Sequence, residues 1–130
     1  MKQPHWISRR ALLYLHSASL ATFGGSTGIR DEGLLDSALA RPQNRFHYAP
    51  ESDLSELAAA YGFGIAKNHP FIDGNKRAAF HSVGLFLSIN ECELIADQLD
   101  AIQTVISLAA GELSEEDFAA WIRNHTKSTK

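Results

Sequence analysis

Cys92 is the single cysteine in 130 residues, so no internal disulfide can form, and nothing points to an oxidising compartment. No Cys-His spacing of the metal-site kind occurs, and zinc is not expected. Positive charge is not in excess either: 12 Lys and Arg stand against 15 Asp and Glu, for a net charge of −3. A domain that neutralises many phosphates needs a basic surface, so direct nucleic-acid binding, through a helix-turn-helix for example, is disfavoured. No apolar run approaches the ~20 residues that cross a bilayer. The opening residues, Met1 to Trp6, lack the apolar stretch of a secretory leader. The expectation is a cytoplasmic protein with no membrane partner.

Hydrophobic residues supply 45 % of the chain, enough for a core of ordinary size. No repeat, low-complexity segment or linker divides residues 1–130, which read as one domain. Helical periods dominate. Ser8 caps a first helix that runs to about Thr22 on Ala11, Leu12, Leu15, Ala18 and Ser19, and Gly24-Gly25 ends it. A second helix follows Asp31, buries Leu34, Leu35, Ala38 and Leu39, and is expected to stop at Pro42. Arg41 to Pro50 shows no steady period and reads as a loop or short hairpin. A third helix spans about Asp53 to Asn68, with Gly62 and Gly64 read as sites of close helix packing rather than hinges.

A long apolar helix from Gly74-Asn75 to Ile89 carries apolar residues on several faces and is expected to be the central one. A connection from Glu91 to Ala96 leads to Asp97, the cap of a helix Gln98–Ala110 closed by Gly111. Ser114-Glu115-Glu116-Asp117 resembles a capping box and opens the last helix. No strand of useful length is expected. The architecture is all-α, with about six helices and one loop or short hairpin.

Nine residues, His69-Pro70-Phe71-Ile72-Asp73-Gly74-Asn75-Lys76-Arg77, gather an imidazole, a carboxylate, a glycine, a carboxamide and two cations on a loop that runs into a helix N-terminus. Such a terminus presents unpaired N–H groups and roughly half a positive charge, a natural seat for phosphate oxygens. Gly74 lets a ligand approach the backbone closely. Cations at that end are disfavoured by about 0.3–1 kcal/mol each, so Lys76 and Arg77 there suggest an anionic partner. His69 suits proton acceptance from an attacking hydroxyl, and Asp73 suits Mg²⁺ beside phosphates. Phe71 and Ile72 are expected to anchor the loop in the core.

Taken singly, each residue has a plainer reading. His69 beside Pro70 is an ordinary loop residue, Asp73 an N-cap, Asn75 a cap or turn residue, and Arg77 one end of a surface ion pair worth less than ~1 kcal/mol. A stability account needs none of them together. Of the other histidines, His81 reads as a satisfied core or boundary residue and His16 as surface. Trp6 and Trp121 read as packing residues near the two ends.

Residues 69–77 resemble the signature of the Fic/Doc family, His-x-Phe-x-(Asp/Glu)-(Gly/Ala)-Asn-(Gly/Lys)-Arg, over nine positions. Gly28 to Pro42 is similar to the upstream segment of the Doc branch, and the likeness spans almost the whole chain. The resemblance implies a compact helical bundle with His69 as general base for a Ser, Thr or Tyr hydroxyl of a target protein. It implies Asp73 on Mg²⁺ and Gly74, Asn75, Lys76 and Arg77 on the phosphates of ATP, with Arg41–Pro50 in the place of the peptide-aligning flap. Lys76 is similar to the Doc pattern of γ-phosphate transfer, where AMP-transferring members carry Gly. Gly74, in contrast, is shared with the AMP-transferring branch. The Doc likeness further implies a toxin acting on translation elongation factor Tu and opposed by a Phd-like antitoxin segment. AMP transfer and a non-catalytic binding module remain the alternatives.

Overall fold

The computed structural model describes residues 3–130; Met1 and Lys2, the start of the stretch read above for a leader, lie outside the described residues. Six helices follow in order: α1 Arg9–Phe23, α2 Glu32–Tyr48, α3 Leu54–Asn68, α4 Asn75–Ile89, α5 Gln98–Ala109 and α6 Glu115–Asn124. The all-α reading and its helix count hold. Local chemistry sets the starts. Ser8 Oγ accepts the Ala11 N–H and Asp31 the Leu34 N–H, while Asp53 and Glu56 form a reciprocal capping box over α3.

Two expectations about α2 fail together. The helix passes through Pro42 and continues to Tyr48, so Arg41–Pro50 is mostly helical and is neither loop nor hairpin. A mid-helix proline costs about 3 kcal/mol, and tertiary contacts on both sides of it outweigh that. Pro42 is buried, Arg45 bonds Glu56 at 2.7 Å, Arg41 bonds Glu115 at 2.5 Å, and Phe46 meets Trp6 edge-on at 5.8 Å. Gly64 permits the close approach, because a Cβ there would stand 3.2 Å from the Ala38 Cα. Gly62 is equally constrained, with Phe118 Cε2 at 2.8 Å from the same imagined atom. Both glycines are packing sites.

The centre of the bundle is α3 rather than α4. Ten of its residues are buried, against seven in α4, and it packs against α2, α4, α5 and α6. Its face from Leu57 to Tyr61 has no exposed area, and Phe86, Leu108, Phe118 and Ile122 close around it. The expectation of no strand also needs correction. Cys92–Leu94 (β1), inside the Glu91–Ala96 connection, pairs antiparallel with Thr126–Ser128 (β2) and ties the end of the chain to the end of α4. Strands of three residues are too short to show a readable period. Among the described residues no helix is long and apolar enough to cross a membrane.

Candidate active site

α3 ends at Asn68, and His69 caps it in the left-handed region at φ 48°, ψ 56°, with its N–H on the Ile65 carbonyl. Pro70 and Phe71 are buried, which sinks the middle of the loop into the core. Ile72 does not follow them; it is 56 % exposed and lies over Gly28. Gly74, at φ 75°, is the N-cap of α4, so Asp73 is not the cap. Asp73 instead accepts the Gly74 N–H at Oδ1 (2.8 Å) and the Ser26 N–H at Oδ2 (3.2 Å). Both bonds leave a lone pair on each exposed carboxylate oxygen.

Asn75 is the residue whose place differs most from a phosphate-holding side chain. Its carboxamide is buried and bound at both ends to Phe71, accepting the N–H at 2.9 Å and donating to the carbonyl at 3.0 Å. The side chain closes the loop upon itself, and its backbone N–H is what remains for a ligand. Lys76 and Arg77 are exposed, and neither joins an ion pair among the described residues. The Arg77 guanidinium lies 3.7 Å from the centre of the Phe23 ring, a cation–π contact that steers it across the end of α1. The first turn of α4 has no acidic residue and no side-chain cap.

His69, Asp73, Gly74, Asn75, Lys76 and Arg77 together line one open cleft of about 320 Å³, with Ser19 and Leu20 of α1 on its far wall. All six candidate residues therefore meet. An imidazole, a carboxylate, free helix N–H groups and two cations share one volume, which suits an anionic, phosphate-bearing substrate next to a hydroxyl donor.

The sequence reading missed two supports of this loop. His16 is 5 % exposed, not a surface residue. Its ring stacks on Phe71 with centroids 3.7 Å apart, and Nε2 lies 2.8 Å from the Asp73 carbonyl oxygen. The signal was present, since residues 12, 16, 19 and 20 make one helical stripe. The second support is the segment before α2. Gly28 accepts the Ile72 N–H, Pro70 accepts from Arg30 and Asp31, and Ile29 bridges to Phe71. This extended segment, rather than Arg41–Pro50, is the chain that lies alongside the signature loop. The Asp73 carboxylate also depends on it, through Ser26.

His81 lies outside the cleft, on a neighbouring apolar cavity of about 210 Å³ that shares Lys76 and Arg77. Among the described residues its Nδ1 is buried without a partner, so it is not a satisfied histidine. Burial, and then the Arg77 charge, push its pKa below the usual range.

Residues 6–87, from Trp6 into the last turn of α4, match the family described as "Fic/DOC family". The chain is 34 % identical over 117 residues to "Protein kinase doc" of Escherichia phage P1, covering 90 % of this chain and 92 % of that protein. It is 43 % identical over 82 residues to "Toxin Doc" of Mycolicibacterium smegmatis, covering 62 % and 63 % of the two.

Proposed function

Because this chain belongs to the Fic/Doc family, in its Doc branch, we propose that it is the toxin of a bacterial toxin–antitoxin pair that transfers the γ-phosphate of ATP to a protein hydroxyl. The observation that carries the reading is the uncapped N-terminus of α4, opening with Gly74, Lys76 and Arg77 onto the cleft that also holds the His69 imidazole.

In this reading the backbone N–H groups of the first α4 turn, Lys76 and Arg77 bind the phosphates. The target hydroxyl attacks the γ-phosphorus. The new O–P bond forms as the bond to the β–γ bridging oxygen breaks, the hydroxyl proton passes to His69, and ADP leaves. Asp73 fits a Mg²⁺ site by its free lone pairs. Among the described residues it is the only carboxylate lining the cleft, so the ion would draw its other ligands from phosphate and water, as Mg²⁺ does. The ion's contribution would be to offset charge on the phosphates. Lys76, similar to the Doc pattern, and the kinase name of the phage P1 relative favour phosphate over AMP. The resemblance extends the proposal to a cytoplasmic target like elongation factor Tu and to a Phd-like antitoxin segment.

AMP transfer is the second reading, supported by the glycine at position 74. ATP labelled separately at the α- and γ-phosphates, incubated with the protein and elongation factor Tu, separates the two. Label should arrive from the γ position only, and arrival from the α position would replace the kinase reading. His69→Ala should remove growth inhibition while leaving the fold intact. Undiminished inhibition by the folded variant would instead favour a binding module.

A further inference from the structure

We propose that Arg30 is a positioning residue for the reaction, holding His69 in the left-handed backbone conformation that aims its imidazole into the cleft. The inference rests on the reading of His69 as proton acceptor. Its basis is a set of contacts from the segment before α2. Arg30 Nε donates to the His69 carbonyl at 2.6 Å, and its Nη2 donates to the Asn68 carbonyl at 2.7 Å. The backbone N–H groups of Arg30 and Asp31 both reach the Pro70 carbonyl, at 2.7 and 3.1 Å. Four donors from two adjacent residues thus bind the carbonyls of three consecutive residues, 68 to 70.

Those carbonyls follow from how α3 ends. The last turn of a helix leaves its C=O groups without partners inside the helix, and negative partial charge gathers there. Glycine usually supplies the left-handed residue at such an end. Here the position is His69, at φ 48°, a conformation that crowds the Cβ of any other residue. A histidine stays in this conformation only if the surrounding structure over-determines it. Arg30 supplies that constraint in a form only its side chain can. The guanidinium is a planar fork whose two N–H groups meet two successive carbonyls at once, and its charge faces the negative end of α3. A lysine ammonium in the same place would keep the charge and lose the fork. His69 itself is exposed, so packing of its side chain does not fix its direction.

The test uses the full chain with Arg30→Ala and Arg30→Lys. The ¹³Cα shift and the HN–Hα coupling of His69 report its φ. Titration with MgATP reports nucleotide affinity, and urea unfolding reports stability. Growth arrest is compared at matched expression, with His69→Ala alongside. Arg30→Ala should lose the left-handed signature of His69 and Arg30→Lys should keep part of it, with MgATP affinity and unfolding midpoint unchanged. Growth arrest should then require about 10- to 100-fold more protein, the loss that follows a misplaced reacting group. A left-handed His69 in Arg30→Ala overturns the proposal, whatever its toxicity. So does undiminished growth arrest once the signature is gone, and so does a parallel loss of MgATP affinity, which would make Arg30 a general support. If Arg30→Ala does not fold, Arg30→Lys decides by the same readouts. Should His69→Ala still arrest growth, the kinase reading fails, while the His69 signature still reports whether Arg30 sets its backbone.

Discussion

His16 Nε2 and the Asp73 carbonyl oxygen lie 2.8 Å apart although 57 residues separate them in sequence. With the ring stacked on Phe71, this bond pins both sides of the signature loop to α1. It also fixes a tautomer, because a carbonyl only accepts and Nε2 must carry the proton. The Asp73–Gly74 peptide thereby has its carbonyl on α1 and its N–H on the Asp73 carboxylate.

His16→Phe keeps an aromatic ring over Phe71 and removes the donor. The Asp73 carbonyl loses its donor at a part-buried site, so unfolding free energy should fall by about 0.5–1.5 kcal/mol, with a further loss for His16→Ala through the missing stack. Urea denaturation of both variants checks this; equal stability of His16→Phe and the parent would refute it.

Asn75 and Lys76 are adjacent and should behave in opposite ways. Asn75→Ala removes both bonds to the Phe71 backbone and should destabilise the fold by about 1–3 kcal/mol. Lys76→Ala removes an exposed side chain with no ion pair among the described residues and should change stability by less than about 0.5 kcal/mol while weakening MgATP binding. Thermal unfolding beside nucleotide titration distinguishes the two.

Gly62→Ala places a methyl group 2.8 Å from Phe118 and 3.0 Å from Val83. On helix propensity alone alanine would stabilise α3 by up to ~1 kcal/mol. Overpacking should reverse that sign and give a net loss of about 1–3 kcal/mol. A more stable Gly62→Ala would show that the α3–α4–α6 junction has room to shift.

The pH dependence of stability should carry a contribution from His81. Burial and the Arg77 charge depress its pKa in the folded state, whereas the unfolded side chain ionises near 6.5. Below 6.5 the unfolded chain therefore binds more protons, and stability falls as pH drops through the window down to the folded value. Above 6.5 this contribution is complete. The difference in urea midpoint between the parent and His81→Gln, followed from about pH 7.5 down to about pH 5, should shrink as the pH falls.

Element starts were legible because they rest on short-range chemistry. Ser8, Asp31, Asp53, Asp97 and Ser114 each accept an N–H three residues on, and each was readable as a cap or as a residue at the start of a helix. Pro42 misled for the converse reason. A proline is a local stop signal, but Arg41, Arg45 and Phe46 hold the following turns against α3, α6 and Trp6, and no local pattern encodes those partners. β1 and β2 were illegible because three residues pair across the whole stretch that holds α5 and α6. At the site, residue types were visible but their bonds were not. Asn75 looked free for phosphate until its carboxamide met Phe71.

The sequence by itself determined the helical class, the identities of the residues that meet in the cleft and the family they belong to, because periodicity, capping and a nine-residue signature are contiguous properties. Tertiary structure alone decided which of those side chains stay open to a ligand. It buries His16 beneath the loop, turns Asn75 inward and lays Arg30 across the end of α3. Asn75 turns to Phe71 only four residues away, but the other two are contacts between segments 38 to 57 residues apart, and their energies depend on geometry that no local pattern specifies.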